Sequence, residues 1–299
     1  MRSRPVKLLL QTTIPPIGDD WHIGRFRLLQ DHLAGLKDAA GRPLCDVIAR
    51  DRATPAGTDD PVLASIDRSD IDQLWLFAVD NGDGLTPHEC RALDAFRRRG
   101  GGLMATRDHM DLGASLTALP EIGGAHYFHS RNLDPDPERC CIDDPFTTHI
   151  QWPNYHSGAN GDYQWIEATE PVHELLHNGA ADGGVIRHFP AHPHEGGVGV
   201  PPGSGAARVV ATGRSKVTGR RFNLVVAFDP AAADGAGRAV AQSTFHHFCD
   251  YNWDIGAGCP SFVDEPPGDG MKRDTDALRD IKAYTRNLVL WLAREPIAG

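Results

Sequence analysis

The stretch from Gly100 to Ser115, GGGLMATRDHMDLGAS, sets a short apolar run between three glycines and a cluster of charge. Leu103, Met104 and Ala105 read as a buried strand, and the polar residues Arg107, Asp108, His109 and Asp111 follow at once. A strand ending in such a cluster, with small residues behind it, predicts a strand-to-helix elbow. In open α/β sheets the chemistry lies outside the carboxyl ends of the strands, so the elbow is the first place to expect a site.

Working outward, Gln73 to Val79 is a continuous apolar run, as expected of a parallel strand covered on both faces. Thr86, Pro87 and Glu89 form a helix start with Pro at the first position. That helix runs to Arg99 with Cys90, Leu93 and Phe96 inward, and glycines carry the chain into the Leu103 strand. Strand, capped helix and strand make a βαβ unit. Towards the amino end, Val6 to Gln11 is a strand, Asp46 to Ala49 a weaker one. Between them a helix capped by Asp19 or Asp20 is predicted, with Trp21, Ile23, Phe26, Leu29, Leu33 and Leu36 apolar and Gly41 as its stop.

Beyond the elbow, residues 122–205 lose periodicity and fill with His, Pro, Gly and Asp. This predicts an insertion or lid with short strands, such as Tyr163 to Ala168, folded over the carboxyl edge of the sheet. Order returns with a hairpin (Arg208 to Thr212, Phe222 to Phe228), a strand from Arg238 to Thr244, and an amphipathic helix from Thr275 to Ala293. No linker composition interrupts the chain, so residues 1–299 are expected to form a single domain.

Composition excludes several classes of function. The chain of 299 residues carries 30 basic and 40 acidic side chains, a net charge of −10, and no basic stripe, so nucleic acid is not an expected partner. No segment approaches the roughly 18 apolar residues of a membrane span, and the amino-terminal apolar run is too short for a signal peptide. A soluble, cytoplasmic protein is expected, with homo-oligomerisation left open. Six cysteines without CxxC spacing read as reduced thiols.

Four clusters could carry chemistry: Asp108 to Asp111, Tyr155 to Asp162, Phe189 to Gly197, and Ser243 to His247. Imidazole is the commonest ligand for zinc-like metals and carboxylates complete such spheres, which makes His192, His194, Glu195 and His246 the candidate ligands of one divalent ion. Asp108, His109, Asp111, His246 and His247 are the candidate catalytic groups, since a carboxylate beside a histidine suits acid–base work. Arg107, Tyr155, His156 and Asp162 are the candidates for holding a small-molecule substrate. Two plainer readings stay open: histidines beside Pro and Gly satisfy loop backbone, and carboxylates after a strand cap helices. No nucleophile elbow surrounds Ser115 or Ser243, and Asp80-Asn81-Gly82-Asp83-Gly84 lacks the lysine of a phosphate loop, so no nucleotide is expected.

LWLFAVD (74–80), AFRRRGGGLMAT (95–106) and GAGRAVAQSTFHHF (235–248) together resemble the class I glutamine amidotransferase-like superfamily, and within it the trehalose-utilisation (ThuA-like) proteins. The resemblance covers about half the chain. It implies a flavodoxin-like three-layer sandwich with a mainly parallel sheet, the nucleophile position at or beside Asp108, and the catalytic histidine at His246 or His247. The amidotransferase cysteine and its glycine-flanked elbow are absent, so thioester-based glutamine hydrolysis is not expected. The expected activity is hydrolysis or acid–base turnover of a small polar, sugar-like substrate, with a non-catalytic ligand-binding protein as the alternative.

Overall fold

The computed structural model describes residues 4–18, 20–179, 184–231 and 234–295; Asp19, one of the two expected caps, lies outside them. The chain runs through β1 (Val6–Thr12), α1 (Arg27–Gly35), β2 (Cys45–Arg50), β3 (Gln73–Phe77), α2 (Pro87–Arg98) and β4 (Gly102–Thr106). A long excursion holds the short strands β5 (His126–Tyr127), β6 (Tyr163–Trp165), β7 (Glu167–Ala168), β8 (His188–Pro190) and β9 (Gly197–Val198). The chain then returns as β10 (Ala207–Arg214), β11 (Arg221–Phe228) and β12 (Ala239–Gln242), followed by α3 (Asp250–Trp253), α4 (Gly270–Arg273) and α5 (Thr275–Leu292).

Eight strands form one sheet in the order β2-β1-β3-β4-β12-β11-β10-β7. The first five are parallel, and β11, β10 and β7 extend them antiparallel. The parallel part has the 2-1-3-4-5 order of flavodoxin-like folds.

Alternation along each strand builds the layers. Leu8, Leu10, Trp75, Phe77, Met104 and Val240 pack on one face with Phe26, Leu29 and Leu33 of the α1 region and Ile281, Tyr284, Leu288 and Trp291 of α5. Leu9, Leu74, Leu76, Leu103, Ala105 and Ala241 pack on the other with Cys90, Leu93 and Phe96 of α2. Each large side chain so enclosed contributes about 1.5–3 kcal/mol. Thr86 and Glu89 close a full capping box at the start of α2, and the Glu89 carboxylate also pairs with the buried Arg52 guanidinium.

Two expectations are corrected. The helix expected up to Gly41 occupies only Arg27–Gly35, after a 3-10 turn at Ile23–Phe26. At Leu36 the backbone becomes extended and its carbonyl accepts from Leu44 N, which commits the chain to β2. The elbow after β4 leads to no α-helix either, only to a 3-10 turn at Ala114–Ala118. Asp80 takes over the backbone there, accepting from Ser115 N and Ser115 Oγ while its carbonyl accepts from Gly113 N. Gly113 is left-handed (φ 90°), and a Cβ there would meet Ala78 O at 3.1 Å.

Candidate active site

Sheet register brings the two distant motifs together. Thr106 of β4 pairs with Gln242 of β12, so Asp108 and Thr244 lie two residues past a matched pair on neighbouring parallel strands. Thr244 Oγ1 donates to Asp108 Oδ1 at 2.8 Å and accepts from His246 N at 3.1 Å, capping the turn Phe245–Phe248. That turn folds the His246 ring back over the end of the sheet, where Nε2 lies 3.4 Å from Asp108 Oδ2.

The excursion supplies a second imidazole from the other side. Residues after β8 are held by reciprocal bonds between His192 and Ser157: His192 N donates to Ser157 Oγ, and Ser157 N to His192 O. His192 Nε2 thereby reaches 3.6 Å from Asp108 Oδ1, and its ring stacks on His246 with centroids 3.5 Å apart. His109 Nε2 lies 3.6 Å from Asp108 Oδ2. One buried carboxylate thus faces three imidazoles.

Electrostatics follow from enclosure. Burial alone would raise the Asp108 carboxyl, but the adjacent imidazoles of His246 and His109 hold it down at about 2. Burial pushes His109 down to about 4 and His192 well below its usual value, so both rings are neutral at pH 7. These groups line a cleft of about 880 Å³ whose walls include Trp21, Ile150 and Phe262, with Asp264 and Glu265 also lining it. No lysine or arginine lines it among the described residues.

The other expected site residues lie elsewhere. His247 is fully buried, and Gln242 Nε2, oriented by Tyr284 Oη donating to Gln242 Oε1, donates to its Nδ1 at 2.8 Å. Its Nε2–H therefore points to Glu195 Oε1 at 3.1 Å. Glu195 also accepts from Ser157 Oγ and Ser243 Oγ, each at 2.9 Å, and from Gln164 Nε2. Neither residue lines the cleft, and four donors saturate the carboxylate, so Glu195 is not placed to ligate an ion beside His246. His194 does line the cleft, but Nδ1 meets Asn154 Oδ1 at 3.1 Å and Nε2 meets Glu265 Oε1 at 2.7 Å, which uses both nitrogens.

Asp111 Oδ1 accepts from Ser130 N at 3.0 Å, and Asp111 does not line the cleft. Arg107 is fully buried with its guanidinium 4.2 Å from the Phe128 ring, and burial pushes it down to about 9. Tyr155 stacks on Phe222 in the core, with centroids 4.7 Å apart. His156 Nδ1 lies 3.9 Å from Asp144 outside the cleft, and Asp162 Oδ1 accepts from Gly270 N at the start of α4. None of the four expected substrate contacts faces the cleft.

Sequence reasoning passed over Asn160, Thr244 and Tyr251 as participants. Asn160 Oδ1 meets His192 Nδ1 at 2.9 Å, and Tyr251 Oη meets His246 Nδ1 at 2.6 Å. Thr244 and Asn160 stand inside the quoted clusters but carry no imidazole or carboxylate, and Tyr251 follows His246 by five residues in an unremarked DYNW.

No family model and no curated protein matches the sequence. Among solved structures, a protein described as ThuA-like from Parabacteroides merdae ATCC 43184 matches with a TM-score of 0.51 and 16% identity, over 97% of this chain and 90% of that one. A second ThuA-like protein, from Bacteroides uniformis ATCC 8492, matches with a TM-score of 0.45 and 12% identity, over 98% and 92%. The glutaminase domain of Trypanosoma brucei CTPS with bound acivicin matches with a TM-score of 0.49 and 10% identity, over 98% and 95%. At 16% identity the likeness to the Parabacteroides merdae protein is one of fold.

Proposed function

We propose that the cleft is the active site of an enzyme that hydrolyses a small polar, uncharged substrate or turns it over by acid–base chemistry. The observation that carries this reading is a buried Asp108 carboxylate with three imidazole Nε2 atoms at 3.4–3.6 Å, lining a cleft. Ionisable groups are costly to enclose without a use, and perturbed ones gather at functional sites. That no lysine or arginine among the described residues lines the cleft disfavours phosphorylated or carboxylate substrates, while Trp21 and Phe262 offer faces for an apolar or ring surface, as on a sugar.

A Cys-dependent glutaminase is not supported. No cysteine lines the cleft among the described residues, and Cys249, the cysteine nearest in sequence to His246, is fully buried with its thiol pushed far up by desolvation. A zinc-like ion beside Asp108 would polarise a carbonyl or generate hydroxide. In a metal-free reaction His109 or His246 is the base and Asp108 its orienter.

The test is turnover of a panel of uncharged glycosides, lactones and amides by wild type, Asp108→Asn and His246→Ala proteins. Loss of at least about 100-fold in kcat/KM with an unchanged circular dichroism spectrum is expected for both variants. A ligand that binds saturably and is recovered unaltered would instead establish a binding protein on an enzyme scaffold.

A further inference from the structure

We propose that Asp108, His192 and His246 hold one divalent transition-metal ion, a set that shares only two members with the one expected from sequence. The inference rests on the reading of the cleft as a reaction site. The three donor atoms are buried and lie within 4.8 Å of one another. A zinc-like ion with bonds of about 2.0–2.1 Å and near-tetrahedral angles sets its donors about 3.3–3.4 Å apart. Asp108 Oδ2 stands 3.4 Å from His246 Nε2 and Asp108 Oδ1 3.6 Å from His192 Nε2, and the two rings stack with centroids 3.5 Å apart, so the donors are already gathered and a turn of one ring and of the carboxylate brings them onto one ion.

Hydrogen bonding behind the donors decides which lone pairs face inward. Asn160 Oδ1 accepts from Asn252 Nδ2 at 3.0 Å, which identifies that atom as the oxygen. His192 Nδ1 must then be the donor in its 2.9 Å contact with Asn160, which leaves Nε2 as the ring's coordinating nitrogen. His192 Nε2 is buried and has no hydrogen-bond partner among the described residues. It faces Asp108 Oδ1 at 3.6 Å, beyond hydrogen-bonding reach. A cation between them would be bound by both.

His246 is backed by Tyr251 Oη and Asp108 by Thr244 Oγ1, so each of the three donors has an outer partner that orients it, as metal-ligating histidines and carboxylates do. His109 approaches Asp108 from a third direction and also lines the cleft, leaving its ring as an acid or base beside the ion. Two nitrogens and one oxygen suit zinc, iron(II), cobalt or nickel better than magnesium or calcium. Three protein donors leave at least one position for water or substrate.

The experiment is isothermal titration of chelator-stripped, untagged full-length protein with zinc chloride, with iron(II) under nitrogen, and with magnesium chloride. One zinc or iron(II) ion per chain is expected, with affinity lowered at least about 100-fold in His192→Ala and in His246→Ala. His194→Ala is expected to bind like wild type. Asp108→Asn, close to isosteric, guards against misfolding: it is expected to keep its melting temperature without metal and to lose the rise that zinc produces in wild type. Cobalt(II) loading is expected to give visible d–d absorption that His192→Ala lacks. No saturable binding by wild type, binding of magnesium alone, or equal loss in His194→Ala overturns the site. Metal binding without turnover leaves the site standing and removes the enzymatic reading, and turnover without metal does the reverse.

Discussion

At the scale of single residues, the site depends on groups that touch no substrate. Asn160 accepts from both His192 and Asn252, so one amide oxygen sets the tautomer of the buried imidazole. Outer partners of this kind are worth about 10–100-fold in metal affinity. Asn160→Ala is therefore expected to weaken zinc binding by that factor while the aspartate analogue, which keeps an acceptor, recovers most of it. Equal affinities for the alanine variant and wild type would show that Ser157 alone orients the ring. The resemblance to the amidotransferase superfamily placed its histidine at His246 or His247, and only tertiary contacts separate the two. One ring turns to Asp108, and its neighbour turns into the core towards Glu195.

Among the elements, helix and strand identities were legible because each leaves a periodic mark. The capping box at Thr86 and the all-apolar run of β3 stand plainly in the sequence, whereas the end of α1 depends on a backbone pairing with Leu44 that no local pattern reveals. The 3-10 turn Glu174–Leu176 carries a consequence for acid stability. His173 caps it by accepting from Leu175 N through Nδ1, and burial, reinforced by Arg208, pushes the imidazole down to about 4. Its folded value lies below the unfolded value of about 6.5, so the unfolded chain takes up the proton first. The stabilisation is complete above about pH 6.5 and is lost as pH falls towards 4, up to about 3 kcal/mol. His173→Asn keeps a capping acceptor and cannot titrate there. Its urea midpoint is expected to change less than that of wild type between pH 7 and 4.5, and parallel slopes would exclude His173 as the titrating group.

Across the whole molecule, Glu195 ties the excursion to the sheet. Its carboxylate joins Ser157 and Gln164 of the excursion to Ser243 and His247 at the end of β12, and its backbone exchanges bonds with Tyr155. Ser157 in turn holds His192, so the position of one site imidazole passes through this buried carboxylate. Glu195→Ala leaves several buried donors without an acceptor, each costing about 1–3 kcal/mol, and a loss of at least about 3 kcal/mol is expected. Amide exchange, read by mass spectrometry, is expected to rise in residues 154–160 and 191–198 before the parallel sheet responds. Uniform change across both regions would show that excursion and sheet open as one unit.

By itself the sequence determined the α/β class, the succession of strands and capped helices, the absence of a cysteine nucleophile at the elbow, and Asp108 and His246 as the residues to watch. Those features are local: a burial period, a cap or a residue type at a strand end leaves its trace within a few positions. The tertiary structure alone decided that His192, rather than His194 or Glu195, is the expected lid ligand that reaches Asp108, that Glu195, His247 and Tyr155 belong to the interior, and that Asn160 and Tyr251 orient the site. Such assignments turn on which face of a ring meets which partner across 84 residues from Asp108 to His192 and 136 from Asp108 to Thr244. Hydrogen-bond complementarity at that separation is set by sheet register and loop packing, which no short window of sequence encodes.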